Sequence, residues 1–153
     1  MSTHKEILDE VQDQLQESAN LSWLDDNDII IGDREVEKHS FPCLIINHER
    51  TSEDDEEDIN GDDVELTSTI SIIGHVKNED PTMLVTGDGA NEKGIIDLLQ
   101  DTLKALHADR TLNGLAFDMR TPDQITESEQ GNPIATLIIE LQIRYCQNRL
   151  TRT

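Results

Sequence analysis

Two segments of this chain alternate in a way that only a long β-strand explains. In the first, Val64, Leu66, Ser68, Ile70, Ile72, Gly74 and Val76 fall on one side, and Glu65, Thr67, Thr69, Ser71, Ile73, His75 and Lys77 on the other. In the second, Ala135, Leu137, Ile139, Leu141, Ile143 and Tyr145 alternate with Thr136, Ile138, Glu140, Gln142 and Arg144. A side-chain period of two over this length is that of a strand with one buried face, and a helix would scatter the same residues around its axis. Two such strands require a sheet, and the buried face of that sheet requires a cover.

The cover is readable too. Residues 3–17 place Ile7, Leu8, Val11 and Leu15 at spacings of three and four, and Thr3-x-x-Glu6 has the form of a capping box. Residues 92–108 repeat the pattern with Ile95, Ile96, Leu98, Leu99, Leu103 and Leu106, and Asn91 is placed to cap them. Ile29-Ile30-Ile31, ending at Gly32, reads as a short strand. Phe41 to His48 reads as another, whose unbroken run Cys43-Leu44-Ile45-Ile46 predicts burial on both faces, with Pro42 at its first position. Trp23 and Leu24, in a loop over 18–28, are expected to plug one end of the core. Residues 78–91 read as a connection anchored by Met83-Leu84-Val85. Leu115, Phe117 and Met119 alternate with Ala116, Asp118 and Arg120 as a further strand. Gly131-Asn132-Pro133 breaks the chain before the last one. The predicted order is α-β-β-β-α-β-β. The fold class is α+β, a mainly antiparallel sheet with two helices on one face, in one domain spanning 1–153.

The charge narrows the function. The chain has 33 acids and 12 bases in 153 residues, a formal net charge of −21. Nucleic-acid binders carry a basic footprint, and anionic membranes repel an acidic surface, so neither partner is expected. There is no apolar run of membrane-spanning length, and the first residues lack the apolar stretch of a signal peptide. The two cysteines, Cys43 and Cys146, make no disulfide framework and read as buried thiols. The acidity is uneven: residues 1–63 hold 20 acids against 4 bases, whereas 133–153 hold one acid, Glu140, and three arginines. The run from Glu53 to Asp58, followed by the turn signal Asn60-Gly61, predicts a mobile, solvated hairpin tip at about 51–63. With 18 Asp, 15 Glu and only five Lys, the composition resembles that of halophilic proteins, whose self-repulsion concentrated salt screens.

No catalytic, cofactor or metal site emerges. His4, His39, His48, His75 and His107 lack metal-ligand spacing. Glu56-x-Asp58-x-Asn60-Gly61 has the alternation of a calcium loop, but Thr67 stands where the closing Glu belongs. Pro122-Asp123 followed by Glu140-Leu141-Gln142 approaches the order of a metal-dependent nuclease, with Gln142 in place of the lysine that chemistry needs. Gly87-Asp88-Gly89 before a helix lacks the Gly-Lys-Ser/Thr of a phosphate loop and reads as a turn. An acidic protein that mimics DNA is the remaining binding alternative.

The whole pattern resembles the tail terminator, or tail completion, proteins of long-tailed, siphovirus-type viruses. The resemblance rests on the amphipathic first helix, Phe41-Pro42-Cys43-Leu44-Ile45, the helix Glu92…Ile96…Leu99…Leu103…Leu106, the turn Leu112-Asn113-Gly114-Leu115, Gly131-Asn132-Pro133, and the closing strand from Ala135 to Tyr145. The acidic insertion at 53–63 departs from the family's pattern. The resemblance implies a structural protein of the virion tail or neck, made in the host cytoplasm, with no enzymatic activity. It implies a homo-oligomeric ring, commonly a hexamer, that caps the head-proximal end of the tail tube. That ring would touch tube and neck (head-closure) proteins and pass DNA through its lumen. A head-closure or other neck component is the related alternative. With the composition, it points to a virus of a salt-loving archaeon. Candidate interface residues are Arg144, Arg149 and Arg152, for a neighbour's carboxylates, and Glu56, Asp58 and Asp62, for a neck or tube protein.

Overall fold

The computed structural model describes residues 4–32, 40–53, 63–89 and 91–148. Helix α1 (His4–Glu17) is followed by two 3-10 turns, then strands β1 (Ile29–Ile31), β2 (Cys43–Glu53) and β3 (Asp63–Lys77). Helices α2 (Pro81–Thr86) and α3 (Ile95–His107) come next, then β4 (Asp118–Glu127) and β5 (Ile134–Asn148). The five strands form one sheet in the order β1-β2-β3-β5-β4. Only β1 and β2 pair in parallel; every other pair is antiparallel. The α+β class and the broad element order are as expected from the sequence.

The two alternating segments are the spine. β3 and β5 pair without a slip from Asp63↔Asn148 to Lys77↔Ile134. Their apolar parity faces α1 and α3: Ile7, Val11 and Leu15 of α1 and Ile95, Leu98 and Leu106 of α3 join Leu66, Ile70, Ile72, Leu137, Ile139, Leu141 and Ile143 in one core. Gly74 sits beneath Leu98 of α3, with Leu137 and Leu44 on either side. A Cβ there would lie 2.8 Å from Leu137 Cγ, 2.9 Å from Leu98 Cδ2 and 3.0 Å from Leu44 Cδ2. Ser68, the polar interruption of the core parity, accepts or donates a 2.9 Å bond with the hydroxyl of fully buried Tyr145. Thr51 and His48 continue that chain at 2.9 and 2.7 Å. A buried phenol needs a partner, and the serine supplies it. Leu24 is buried and Trp23 packs on the core, its indole N–H donating to Asp101 at 3.0 Å. The run Cys43–Ile46 is buried throughout.

Several boundaries differ from expectation. The connection 78–91 contains a helix: Asp80 accepts from Thr82 and Met83, Pro81 opens the first turn, and Leu84 is buried, so α2 is a third helix beside the two predicted. Helix α3 starts at Ile95 rather than 92, with Gly94 rather than Asn91 at its cap and the Asp97 carboxylate accepting from the Gly94 N–H at 3.0 Å. The strand expected at 115–120 starts only at Asp118, because Leu112, Asn113 and Gly114 take three consecutive left-handed residues and use that stretch as a turn. Asp109 fixes that turn, accepting from the backbone of Thr111 and Asn113. β4 then runs on to Glu127 as an edge strand, with a bulge between Arg120 and Asp123 that accommodates Pro122. β2 begins after Pro42, which follows a cis peptide bond, and extends to Glu53. The tip expected at about 51–63 is narrower at both ends, because residues 51–53 and 63 pair within β2 and β3; Thr3 and residues 54–62 lie outside the described residues.

Candidate functional site

The helices cover one face of the sheet. Cross-strand register sorts the residues of the other face into rows. Ile30, Ile45, Ile73, Ile138 and Ile125 form one row spanning all five strands. Asn47, Ser71, Glu140 and Asp123 form the next. Past the β2 bulge come Arg50, Thr69, Gln142 and Arg120, then Ser52, Thr67, Arg144 and Asp118. The face therefore grades from an apolar row to charged rows along the strands.

The charged end is tied together within the chain. Arg144 donates through Nε to Glu65 Oε1 at 2.8 Å, and its Nη2 bonds the same oxygen. Glu65 is only 3% exposed, so removing the guanidinium would strand a buried carboxylate. Asp118 lies 3.4 Å from Arg110 and 3.3 Å from Arg120. Partial burial pushes the Asp118 carboxyl up, but the Arg120 bond, the Met119 backbone N–H and the two arginine charges outweigh it, and the net direction is down.

Of the residues singled out from sequence, Arg144 is thus placed, and it is bonded to its own chain's Glu65; a neighbour's carboxylate would have to share it. Arg149, Arg152, Glu56, Asp58 and Asp62 lie outside the described residues. The structure does place their attachment points. Asp63 pairs with Asn148, and Glu53 pairs with Leu66. The acidic segment and the arginine-bearing C-terminal segment therefore leave the sheet at the same end.

The nuclease-like pair is also brought together: Asp123 and Glu140 are directly opposite across β4 and β5. Gln142 occupies the next row, opposite Arg120, and among the described residues no lysine pairs in either row. Among the described residues no group of three His, Cys, Asp or Glu side chains is arranged to hold a metal. Gly87-Asp88-Gly89 is a turn closing onto α3, with Asp88 N–H donating to Glu92 O at 3.0 Å and the Asp88 carboxylate accepting from Glu92 N–H at 2.9 Å. Neither Cys43 nor Cys146 is in a disulfide, and burial, reinforced by Asp28 and only partly offset by a His75 backbone bond, pushes the Cys43 thiol up to about 11. Among the described residues, no helix is long and apolar enough to cross a membrane.

Sequence reasoning missed the isoleucine row and the Glu65 partnership. Ile73 and Ile138 were visible as apolar residues on the polar parity of their strands, a signal that a second face carries a surface of its own.

No protein-family model matches the chain, and no curated protein matches it. Among solved structures it is similar to a chain of the "Virion of native gene transfer agent (GTA) particle", with 10% identity over 90% of this chain and 92% of that one and a TM-score of 0.48. That likeness is too loose to carry an argument about fold or function.

Proposed function

We propose that this chain is a structural protein of a virus particle that works by joining copies of itself: a tail terminator ring, commonly of six copies, at the head-proximal end of a tail tube. In this reading the ring contacts tube and neck proteins, DNA passes through its lumen without specific binding, and the chain performs no chemistry. One observation carries the proposal. The β3–β5 ladder runs fifteen residues in register, with no described helix on one of its faces, and its Asp63–Asn148 end is where the acidic sequence and the arginine-bearing C-terminal sequence attach. A rigid body whose sequence carries opposite charges near one end of the sheet is suited to head-to-tail contacts, and a head-to-tail contact that closes makes a ring. The sequence resemblance to tail terminators supports the same reading. An acidic wall also suits a channel along which DNA must slide without sticking. The composition favours a setting of molar salt, such as a virus of a salt-loving archaeon.

Electron microscopy of the purified chain in molar salt tests this directly. Rings with an open centre are expected, and isolated small particles would refute the proposal. Particles made without the protein separate the two neck roles: overlong or headless tails mark a terminator, whereas leaking heads beside normal tails mark a head-closure component. The opposed Asp123 and Glu140 favour one competing reading, a metal-dependent nuclease. Magnesium-dependent DNA cleavage that Glu140→Ala abolishes would establish it in place of the structural role.

A further inference from the structure

We infer that a pocket at the Lys77 end of the sheet receives the acidic segment 54–58 of a second copy of this chain. The inference rests on the reading that the chain assembles with itself, and it names the two surfaces that meet. The pocket, about 420 Å³, is lined by Trp23, Phe41 and Val76 together with Lys77, Lys93 and Glu92. In a chain of 33 acids and 12 bases, two of the five lysines converge there. Lys77 is exposed and Lys93 half-buried, and among the described residues neither makes an ion pair. The nearby carboxylates are turned to other donors: Glu92 accepts from Asn78 Nδ2 at 3.4 Å, and Asp101 takes the Trp23 indole N–H at 3.0 Å. The two ammonium groups lie over rings instead, Lys77 Nζ at 6.0 Å from the centre of Phe41 and Lys93 Nζ at 5.9 Å from that of Trp23. That is the outer limit of a cation–π contact, so each keeps most of its capacity for a carboxylate. Other depressions of the surface carry an excess of acids, or hold arginines already bonded to Glu65 and Asp118.

Charge and reach identify the occupant. Eight of the eleven residues from Glu53 to Asp63 are acids, the densest anionic run of the chain and the charge complement of two unpaired lysines. That run attaches at the opposite end of the ladder. Asp63 and Lys77 are the two ends of β3, about 46 Å apart at ~3.3 Å per residue. No residue of 54–62 is more than five positions from Glu53 or Asp63, a reach of about 18 Å at full extension. The segment therefore falls short of the pocket of its own chain and is left to meet that of another. A donor at one end of a body and its acceptor at the other make a heterologous, head-to-tail contact, the kind that closes into a ring. Molar salt suits this contact. A Debye length of about 3 Å screens the repulsion between two chains of like charge over most of their surfaces but spares ammonium–carboxylate pairs in direct contact.

The test is the mass in solution, by light scattering after size exclusion in molar salt, of wild type and two variants. One carries Lys77→Glu and Lys93→Glu. The other neutralises the segment with Asp54→Asn, Asp55→Asn, Glu56→Gln, Glu57→Gln and Asp58→Asn. Circular dichroism checks that both fold. Three results together support the inference: wild type at a multiple of 17.3 kDa, each variant alone at the single-chain mass or dissociating at least about tenfold more readily, and an equimolar mixture of the two variants at twice the single-chain mass. The mixture pairs because one variant keeps the segment and the other keeps the pocket, and it stops at two because the remaining ends are both disabled. A variant that keeps the wild-type mass, or a mixture that stays at the single-chain mass, overturns the inference while leaving the ring proposal standing. That includes the case where the lysine substitutions change only thermal stability because residues 33–39 of the same chain fill the pocket. A wild-type protein of single-chain mass overturns both. If a variant misfolds, Trp23 decides, as the chain's one tryptophan. A synthetic peptide of residues 51–63 added to dilute wild type should change its emission saturably, and the same peptide with Asn and Gln at 54–58 should need at least about tenfold more; no change, or an equal response to both peptides, refutes the inference.

Discussion

Gly74→Ala probes the close packing of α3 against β3. Gly74 lies mid-strand in β3, on the parity that faces α3, and an added Cβ would meet Leu137 Cγ at 2.8 Å, Leu98 Cδ2 at 2.9 Å and Leu44 Cδ2 at 3.0 Å. Real Cβ atoms do not tolerate such distances. The two Cδ atoms can swing away, but Leu137 Cγ is a branch point whose movement shifts the whole side chain. Overpacking of this kind costs about 1–3 kcal/mol. Alanine recovers part of that, about 0.5–1 kcal/mol, because glycine loses more chain freedom on folding. The expected net loss is about 1–2 kcal/mol, which for a chain of this size lowers Tm by roughly 3–6 °C. Thermal unfolding followed by circular dichroism in molar potassium chloride reads it. The partner variant Leu98→Ala removes one of the clashing atoms at its own cavity cost of about 2–5 kcal/mol. The double variant should then be less destabilised than the sum of the two singles, by at least about 0.5 kcal/mol. A Gly74→Ala protein as stable as wild type, or strict additivity with Leu98→Ala, would refute the close seating of α3 on β3.

Three further outcomes follow from individual sites. Glu140→Gln removes one of two carboxylates directly opposed across β4 and β5, so at low salt it should gain about 0.2–1 kcal/mol over wild type. That gain should fade near 1 M salt, where the Debye length is about 3 Å; a loss of stability at low salt would contradict it. Alkylation of the folded protein at pH 8, read by peptide mass, should modify half-buried Cys146 first and spare Cys43, which is buried and shifted to about 11; equal labelling would contradict the burial. The Asp109 carboxyl is held below its ordinary value by the Thr111 hydroxyl and then by the Asn113 and Thr111 backbone N–H groups. Because the folded value is the lower one, its stabilisation is complete above the unfolded value and is lost as pH falls through the folded one. Wild type should therefore exceed Asp109→Asn in Tm at pH 7, and the difference should narrow below about pH 4; a difference independent of pH would remove the carboxylate from the account of that turn.

The spine and its cover were legible because burial writes a period into sequence. Val64 to Val76 and Ala135 to Tyr145 alternate, and α1 and α3 carry apolar stripes at helical spacing. What escaped was set by contacts that leave no period. β4 is an edge strand from Arg120 to Glu127 with exposed positions on both faces, so no alternation marks it. The Leu115-Ala116-Phe117 segment mimics a strand start, but the left-handed turn before it delays the strand to Asp118. α2 is six residues long, shorter than any amphipathic period can show, although Asp80-Pro81 carried its capping signal. The isoleucine row is a property of register. Ile73 and Ile138 are one residue each in their strands, and only strand pairing lines them up with Ile45 and Ile125. The candidate site was legible in part. Arg144 was visible as a base in an acidic chain, but its bond to Glu65 joins residues 79 apart.

Self-association is the claim on which the functional account stands, and sedimentation velocity of the unmodified chain across a concentration series in molar potassium chloride tests it most directly. The account predicts one discrete species at a fixed multiple of 17.3 kDa, near sixfold for the proposed ring. A boundary that stays at 17.3 kDa at every concentration would contradict it.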